Sequence, residues 1–191
     1  MIFKLNGKRV AYYPIPKCGC TSVKAMIFYI NYGRLPDDKE NVHINYPTIE
    51  GFIRQDLADY RFCLVRDPVE RFISGYSNRV LHHGDIPFVE FDDFINNFIK
   101  FYEIPAIRHH FRPQVDFIGT VPRYYTNIFM VHEMKKVSDF LSQIAGKPIP
   151  TPHKQVGGAS MKPTPTKKQI ENIKKIYAHD YKFLKEVHRA R

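Results

Sequence analysis

The sequence predicts an α/β layered fold, with a central parallel β-sheet flanked by helices. Three observations carry this. Short apolar runs at residues 9–15, 60–65 and 127–131 have the length of buried strands. Each run is followed by a segment whose apolar residues recur at helical spacing. Strands that alternate with helices pair in parallel, because the intervening helix crosses back over the sheet.

The elements follow in order. "FKLNGKRVAYYPI" places the turn pair Asn6-Gly7 between two apolar runs, which predicts a short hairpin leading into a first core strand at 9–15. From Ser22 to Tyr32, the residues Val23, Met26, Ile27 and Ile30 share one helical face. "YRFCLV", 60–65, is the next strand. Asp67-Pro68 then supplies an N-cap and a good first helical residue, so a helix is expected to start there. Its apolar stripe is Phe72, Ile73, Tyr76 and Val80, and its opposite stripe is Arg71, Ser74 and Asn78. "FDDFINNFIKFYEI", 91–104, is expected as a third helix. "NIFMV", 127–131, reads as a strand and "EMKKVSDFLSQIAG" as a helix ending at Gly146. Residues 147–165 are rich in Pro, Gly and Lys and are expected as a loop. One long helix over 166–187 closes the chain, with Ile170, Ile173, Tyr177, Tyr181 and Leu184 on one face. A length of 191 residues predicts a single domain, 1–191.

Composition narrows the function. A hydrophobic content of 43% supports a packed core and excludes a disordered chain. No stretch reaches the roughly 18 apolar residues of a spanning helix, and the N-terminus "MIFKLNGKRVAYY" reads as no signal peptide. Cys18, Cys20 and Cys63 are too few for a disulfide framework, which fits a reducing compartment. They also make a poor zinc site, since "CGC" lacks a second ligand pair. The net charge of +10 suits a polyanionic partner: nucleic acid, a nucleotide with several phosphates, or an anionic membrane surface. The excess sits late, because residues 151–191 hold ten Lys/Arg against three Asp/Glu.

Two motifs carry chemistry. "PKCGCTS", 16–22, lies between a strand and a helix. A helix N-terminus there offers backbone N–H groups and a partial positive charge. Gly19 permits close approach of the backbone, Thr21 and Ser22 add hydroxyls, and Lys17 adds a full charge. The plain alternative is an ordinary turn capped by Ser22. The Walker order G-x-x-x-x-G-K-[ST] is absent, because Lys17 precedes the glycine. In "LVRDPVERFISGY", Arg66 ends a strand and Ser74 lies on the helix that follows. An arginine fork with a hydroxyl suits a second phosphate, at the carboxyl edge of the sheet where open α/β folds bind ligands. The alternative is that Arg66 pairs with Asp67 or Glu70.

These segments resemble the sulfotransferases that use 3′-phosphoadenosine-5′-phosphosulfate. "IPKCGCTS" resembles their 5′-phosphosulfate loop, and "VRDPVERFISGY" is similar to their 3′-phosphate motif. "HFRPQ", 110–114, and "IKKIYAHDYKFL", 173–184, resemble segments of the carbohydrate sulfotransferase branch. The four span Ile15 to Leu184 in order. Cys20 stands where the family has glycine or another small residue, and Pro14 where another type is common. The resemblance implies a P-loop-like three-layer form of the α/β fold. It implies that Lys17, Cys18, Gly19, Cys20, Thr21 and Ser22 hold the phosphosulfate and that Arg66 and Ser74 hold the 3′-phosphate. Lys154 and Gly157, in "HKQVGGAS", are expected to close over the nucleotide. The product is then adenosine 3′,5′-bisphosphate. Sulfuryl transfer in line requires no metal.

The resemblance further implies an acceptor hydroxyl, on a sugar, and a general base to deprotonate it. His43 lies between the two nucleotide motifs, where a relative in the heparan branch carries its base. His110, which opens "HFRPQ", is the second candidate; His109 adjoins it, and Glu50 is a third option. His82 and His83 are better explained by a helix C-terminus. Two rivals stand: a basic nucleic-acid-binding module, favoured only by charge, and a P-loop kinase, opposed by the missing GK[ST]. The partners expected are the donor nucleotide and the acceptor, not nucleic acid, with peripheral membrane contact left open. The expected setting is the cytoplasm, of a bacterium.

Overall fold

The computed structural model describes residues 1–37, 39–46, 55–152 and 162–189. Its sheet begins with the hairpin that Asn6-Gly7 predicts. Strand β1 (Ile2–Leu5) pairs antiparallel with β2 (Lys8–Tyr13), Leu5 opposite Lys8. Asn6 and Gly7 both have positive φ, 48° and 76°, as a two-residue turn matching the strand twist requires. Strands β3 (Tyr60–Val65) and β4 (Asn127–Met130) follow in parallel, in the order β1-β2-β3-β4. The class is α/β, as predicted: a mostly parallel four-stranded sheet flanked by helices. Strand β2 stops at Tyr13, two residues short of the expected end.

The helices are α1 (Cys20–Tyr32), α2 (Val42–Asn45), α3 (Pro68–Tyr76), α4 (Phe91–Asn96), α5 (Phe98–Tyr102), α6 (Pro105–Phe111), α7 (Val115–Ile118), α8 (Met134–Ala145), α9 (Lys167–Ile176) and α10 (Ala178–Arg189). A π-helical segment, Ser77–His82, follows α3. The chain divides into two compact units: Met1–Val65 with Phe117–Gln155, and Arg66–Asp116 with Val156–Arg191.

The first unit contains the sheet. Helix α8 lays Phe140 against Tyr60, Phe62 and Phe129, at ring separations of 5.7, 5.6 and 5.7 Å. Gly146 ends α8 in the left-handed conformation, at φ 68°, as its position predicts. The second unit is helical and packs around Phe72 of α3, whose ring meets those of Phe91, Phe94, Phe98, Phe111 and Tyr177 within 6.2 Å. Asp67 caps α3 by accepting from the N–H groups of Val69 and Glu70, with Pro68 at the first helical position.

Three expectations need correction. The segment 91–104 is two short helices, because the Asn97 side chain donates to the Asp93 carbonyl and the backbone turns there. The closing helix over 166–187 is likewise two helices, broken at Tyr177, whose hydroxyl donates to the Phe111 carbonyl. Arg71, placed on the stripe opposite the apolar one, is 1% exposed. Its guanidinium donates to the carbonyls of His110 and Arg112, at 3.1 and 2.9 Å. A cation is favoured there by the dipole at the C-terminal end of α6.

Candidate active site

The turn between β2 and α1 has unusual backbone. Lys17 sits at φ 67° and Gly19 at φ 75°. The first is a left-handed conformation adopted by a residue with a Cβ, which is uncommon and costs energy. Between them Cys18 is fully buried, and its N–H donates to the Ile15 carbonyl at 3.2 Å. Helix α1 starts at Cys20, three residues earlier than the cap at Ser22 would place it. The N-cap is Gly19, which has no side chain to cap the helix, and no acidic residue occupies the first turn. The partial positive charge of the N-terminus therefore has no carboxylate beside it in the first turn. Ser22 is buried in the first turn, and Thr21 and Lys17 are half-buried.

Gly19 has a second reason to be glycine. A Cβ built on it would lie 2.6 Å from the Met134 Cε and 3.5 Å from the Val131 Cγ2. The methionine end can move, so the left-handed φ decides the cost. Gly19→Ala is expected to destabilise the chain by about 1–2 kcal/mol, read as a lower midpoint in urea unfolding.

His43, on the short α2, is brought to this turn. Its Nε2 lies 2.9 Å from Thr21 Oγ1 and its Nδ1 lies 3.3 Å from Lys24 Nζ. The Asn41 side chain accepts from the His43 N–H and fixes the start of α2. The residue keeps an exposed edge, but both ring nitrogens face protein groups. Desolvation of the ring, then the charges of Lys24 and Lys17, hold its pKa below the ordinary 6.5. The imidazole is therefore neutral at neutral pH.

Lys24 was not singled out in the sequence, where a lysine beside an apolar stripe reads as solvated. It is 1% exposed. Burial lowers its pKa, and the neighbouring Cys20 opposes that shift. Burial also raises the pKa of the Cys20 thiol, against the pull of Lys24, Lys17 and Thr21. The thiol stays protonated and serves as a small residue in the turn.

Arg66 and Ser74 belong to the second unit. Arg66 follows β3 directly, and Ser74 is half-buried on α3. The Arg66 guanidinium, ahead of the α3 cap, reaches Glu70 Oε2 in the first turn of α3 at 3.3 Å. Glu70 is largely exposed, so this pair is weak and an incoming anion can compete with it. His110 lies on α6, where its Nδ1 donates to the Ala106 carbonyl at 2.8 Å. That ring nitrogen serves its own helix. Lys154, Gly157 and Glu50 lie outside the described residues. Among the described residues, no group of three or more His, Cys, Asp or Glu could hold a metal ion, and no helix is long and apolar enough to cross a membrane.

Residues 3–185 match the sequence model of the Sulfotransferase family. The chain is also similar to carbohydrate sulfotransferase 10 of Xenopus laevis, with 28% identity over 94 residues. That stretch is 43% of this chain and 26% of the relative, so the similarity spans about a quarter of the relative's length. No solved structure gives a significant match.

Proposed function

Because this chain belongs to the sulfotransferase family, we propose that it moves the sulfuryl group of 3′-phosphoadenosine-5′-phosphosulfate to an acceptor hydroxyl on a carbohydrate. The observation that carries the donor reading is the β2–α1 turn. It is strained at Lys17, closed by a glycine that tolerates no Cβ without cost, and set at a helix end with no side-chain cap. Backbone in that state is what an anion cradle requires. The carbohydrate reading is supported by the Xenopus laevis relative, whose name states that acceptor class.

In the proposed step, the acceptor oxygen attacks sulfur, and the bond from sulfur to the nucleotide's 5′-phosphate oxygen breaks. Negative charge grows on that bridging oxygen, where Lys17 and the first-turn N–H groups stabilise it. The acceptor proton passes to His43 Nε2. This requires the tautomer with its proton on Nδ1 and its lone pair on Nε2, the Lys24 ammonium turning aside from Nδ1. The acceptor hydroxyl then takes the place of Thr21 at Nε2. Arg66 and Ser74 are assigned to the 3′-phosphate, which aligns the donor. The step as proposed uses no metal. A cytoplasmic setting belongs to the same proposal and is tested by fractionating cells that express the chain.

Calorimetry with adenosine 3′,5′-bisphosphate, AMP, ATP and a random oligonucleotide tests the donor. The bisphosphate is expected to bind most tightly. Arg66→Ala is expected to cost about 1.5–3 kcal/mol of that binding, roughly ten- to a hundredfold, while AMP is little affected. Equal affinity for AMP and the bisphosphate would remove the 3′-phosphate assignment. Preference for ATP would favour a kinase, and tight binding of the oligonucleotide alone a nucleic-acid module.

A further inference from the structure

Arg66 owes its place to residues far along the chain. The Gln114 side chain grips the Arg66 backbone at two points: its Oε1 accepts the Arg66 N–H and its Nε2 donates to the Arg66 carbonyl, both at 2.9 Å. Gln114 is in turn fixed by Asp180 of α10. Asp180 Oδ2 accepts from the Gln114 backbone N–H at 2.9 Å and from its Nε2 at 3.3 Å, while Oδ1 accepts the Val115 N–H at 3.0 Å. Gln114 is 2% and Asp180 1% exposed. The next residue, Tyr181, donates its hydroxyl to Asp67 Oδ2 at 3.1 Å. The other oxygen of Asp67 caps α3.

We infer that Gln114 and Asp180 are positioning residues for Arg66, holding the backbone from which its guanidinium meets the 3′-phosphate; this rests on the reading of Arg66 given above. The physical reason is orientation. A buried carboxylate taking N–H groups of Gln114 sets which way the amide faces, so that its oxygen meets an N–H and its nitrogen a carbonyl. A long arginine side chain recognises phosphate with two parallel bonds only if its root is fixed. Two anchors from α10 thus converge on the Arg66-Asp67 dipeptide: Asp180 through Gln114, and Tyr181 directly. This assigns a purpose to two segments that the donor reading left idle, "HFRPQ" and "IKKIYAHDYKFL".

The test compares the ratio of dissociation constants for AMP and adenosine 3′,5′-bisphosphate in the whole chain and in Gln114→Met, Asp180→Asn and Arg66→Ala. Methionine keeps the length of glutamine and removes both bonds to Arg66. Gln114→Met and Asp180→Asn are each expected to lower the ratio by about tenfold, the equivalent of one displaced charge-assisted bond. AMP affinity is expected to change by less than about twofold, since AMP lacks the group that Arg66 reads. A merely structural role would weaken both nucleotides together and leave the ratio alone. If Gln114→Met does not fold, the Asp180→Asn ratio decides. A wild-type ratio in the folded variants, beside a collapsed ratio in Arg66→Ala, overturns the positioning role alone. An unchanged ratio in Arg66→Ala overturns the reading of Arg66 and the positioning role with it.

Discussion

Turnover of Lys17→Ala is expected to fall by about 10²–10³-fold, with donor affinity nearly unchanged. The argument is differential. In the ground state the backbone at the start of α1 already faces a charged donor, so the lysine adds little that the turn lacks. As the bond to sulfur breaks, charge gathers on one bridging oxygen, and a nearby ammonium gains most at that point. The chain accepts a left-handed φ of 67° at Lys17, which a residue with no task there would avoid. Steady-state kinetics with direct donor titration checks this. A variant with wild-type turnover and only weaker donor binding would make Lys17 a positioning residue.

The second large effect is expected for His43→Ala: a loss of about 10²–10⁴ in transfer rate, with nucleotide affinity preserved. His43 stands 2.9 Å from Thr21, a residue of the β2–α1 turn, and carries a neutral ring. A neutral imidazole can take a proton at once. The pH profile follows with a definite sign. Desolvation and the charges of Lys24 and Lys17 lower the His43 pKa, so the base form persists below the ordinary value of 6.5. Turnover is therefore expected to hold through neutral pH and to fall only on the acid side of 6.5. An acid limb centred above that value would point to another group. His110→Ala is the necessary companion, since its Nδ1 already serves the Ala106 carbonyl and a milder effect is expected. A dead His110 variant beside an active His43 variant would move the role to His110. Two active variants would leave Glu50 as the candidate.

Much of the fold was written locally. The Asn6-Gly7 pair specified a turn because both residues tolerate positive φ, and Gly146 ended α8 for the same reason. Asp67-Pro68 started α3 because a carboxylate accepts the first N–H groups and proline needs none. Strand β3 has the bounds its apolar run gave it. The turn between β2 and α1 was legible too, since lysine, glycine and hydroxyl residues between a strand and a helix form a short pattern. Each of these depends on residues within a few positions of one another.

What the sequence could not state depends on partners brought together only by folding. The periodicity over 166–187 is continuous, yet the helix breaks at Tyr177, whose hydroxyl reaches a carbonyl 66 residues away. The local sequence around Arg71 and Lys24 gives no sign that either is buried. They are buried because Arg71 finds two helix-end carbonyls and Lys24 lies against His43. Gln114 was quoted within a motif without a role, and its grip on Arg66 appears only when α10 delivers Asp180. Sequence periodicity reports how often apolar side chains recur on a face. Whether a polar side chain can be buried is set by the hydrogen bonds that await it. Those bonds come from segments distant in the chain, so the tertiary structure alone decided them.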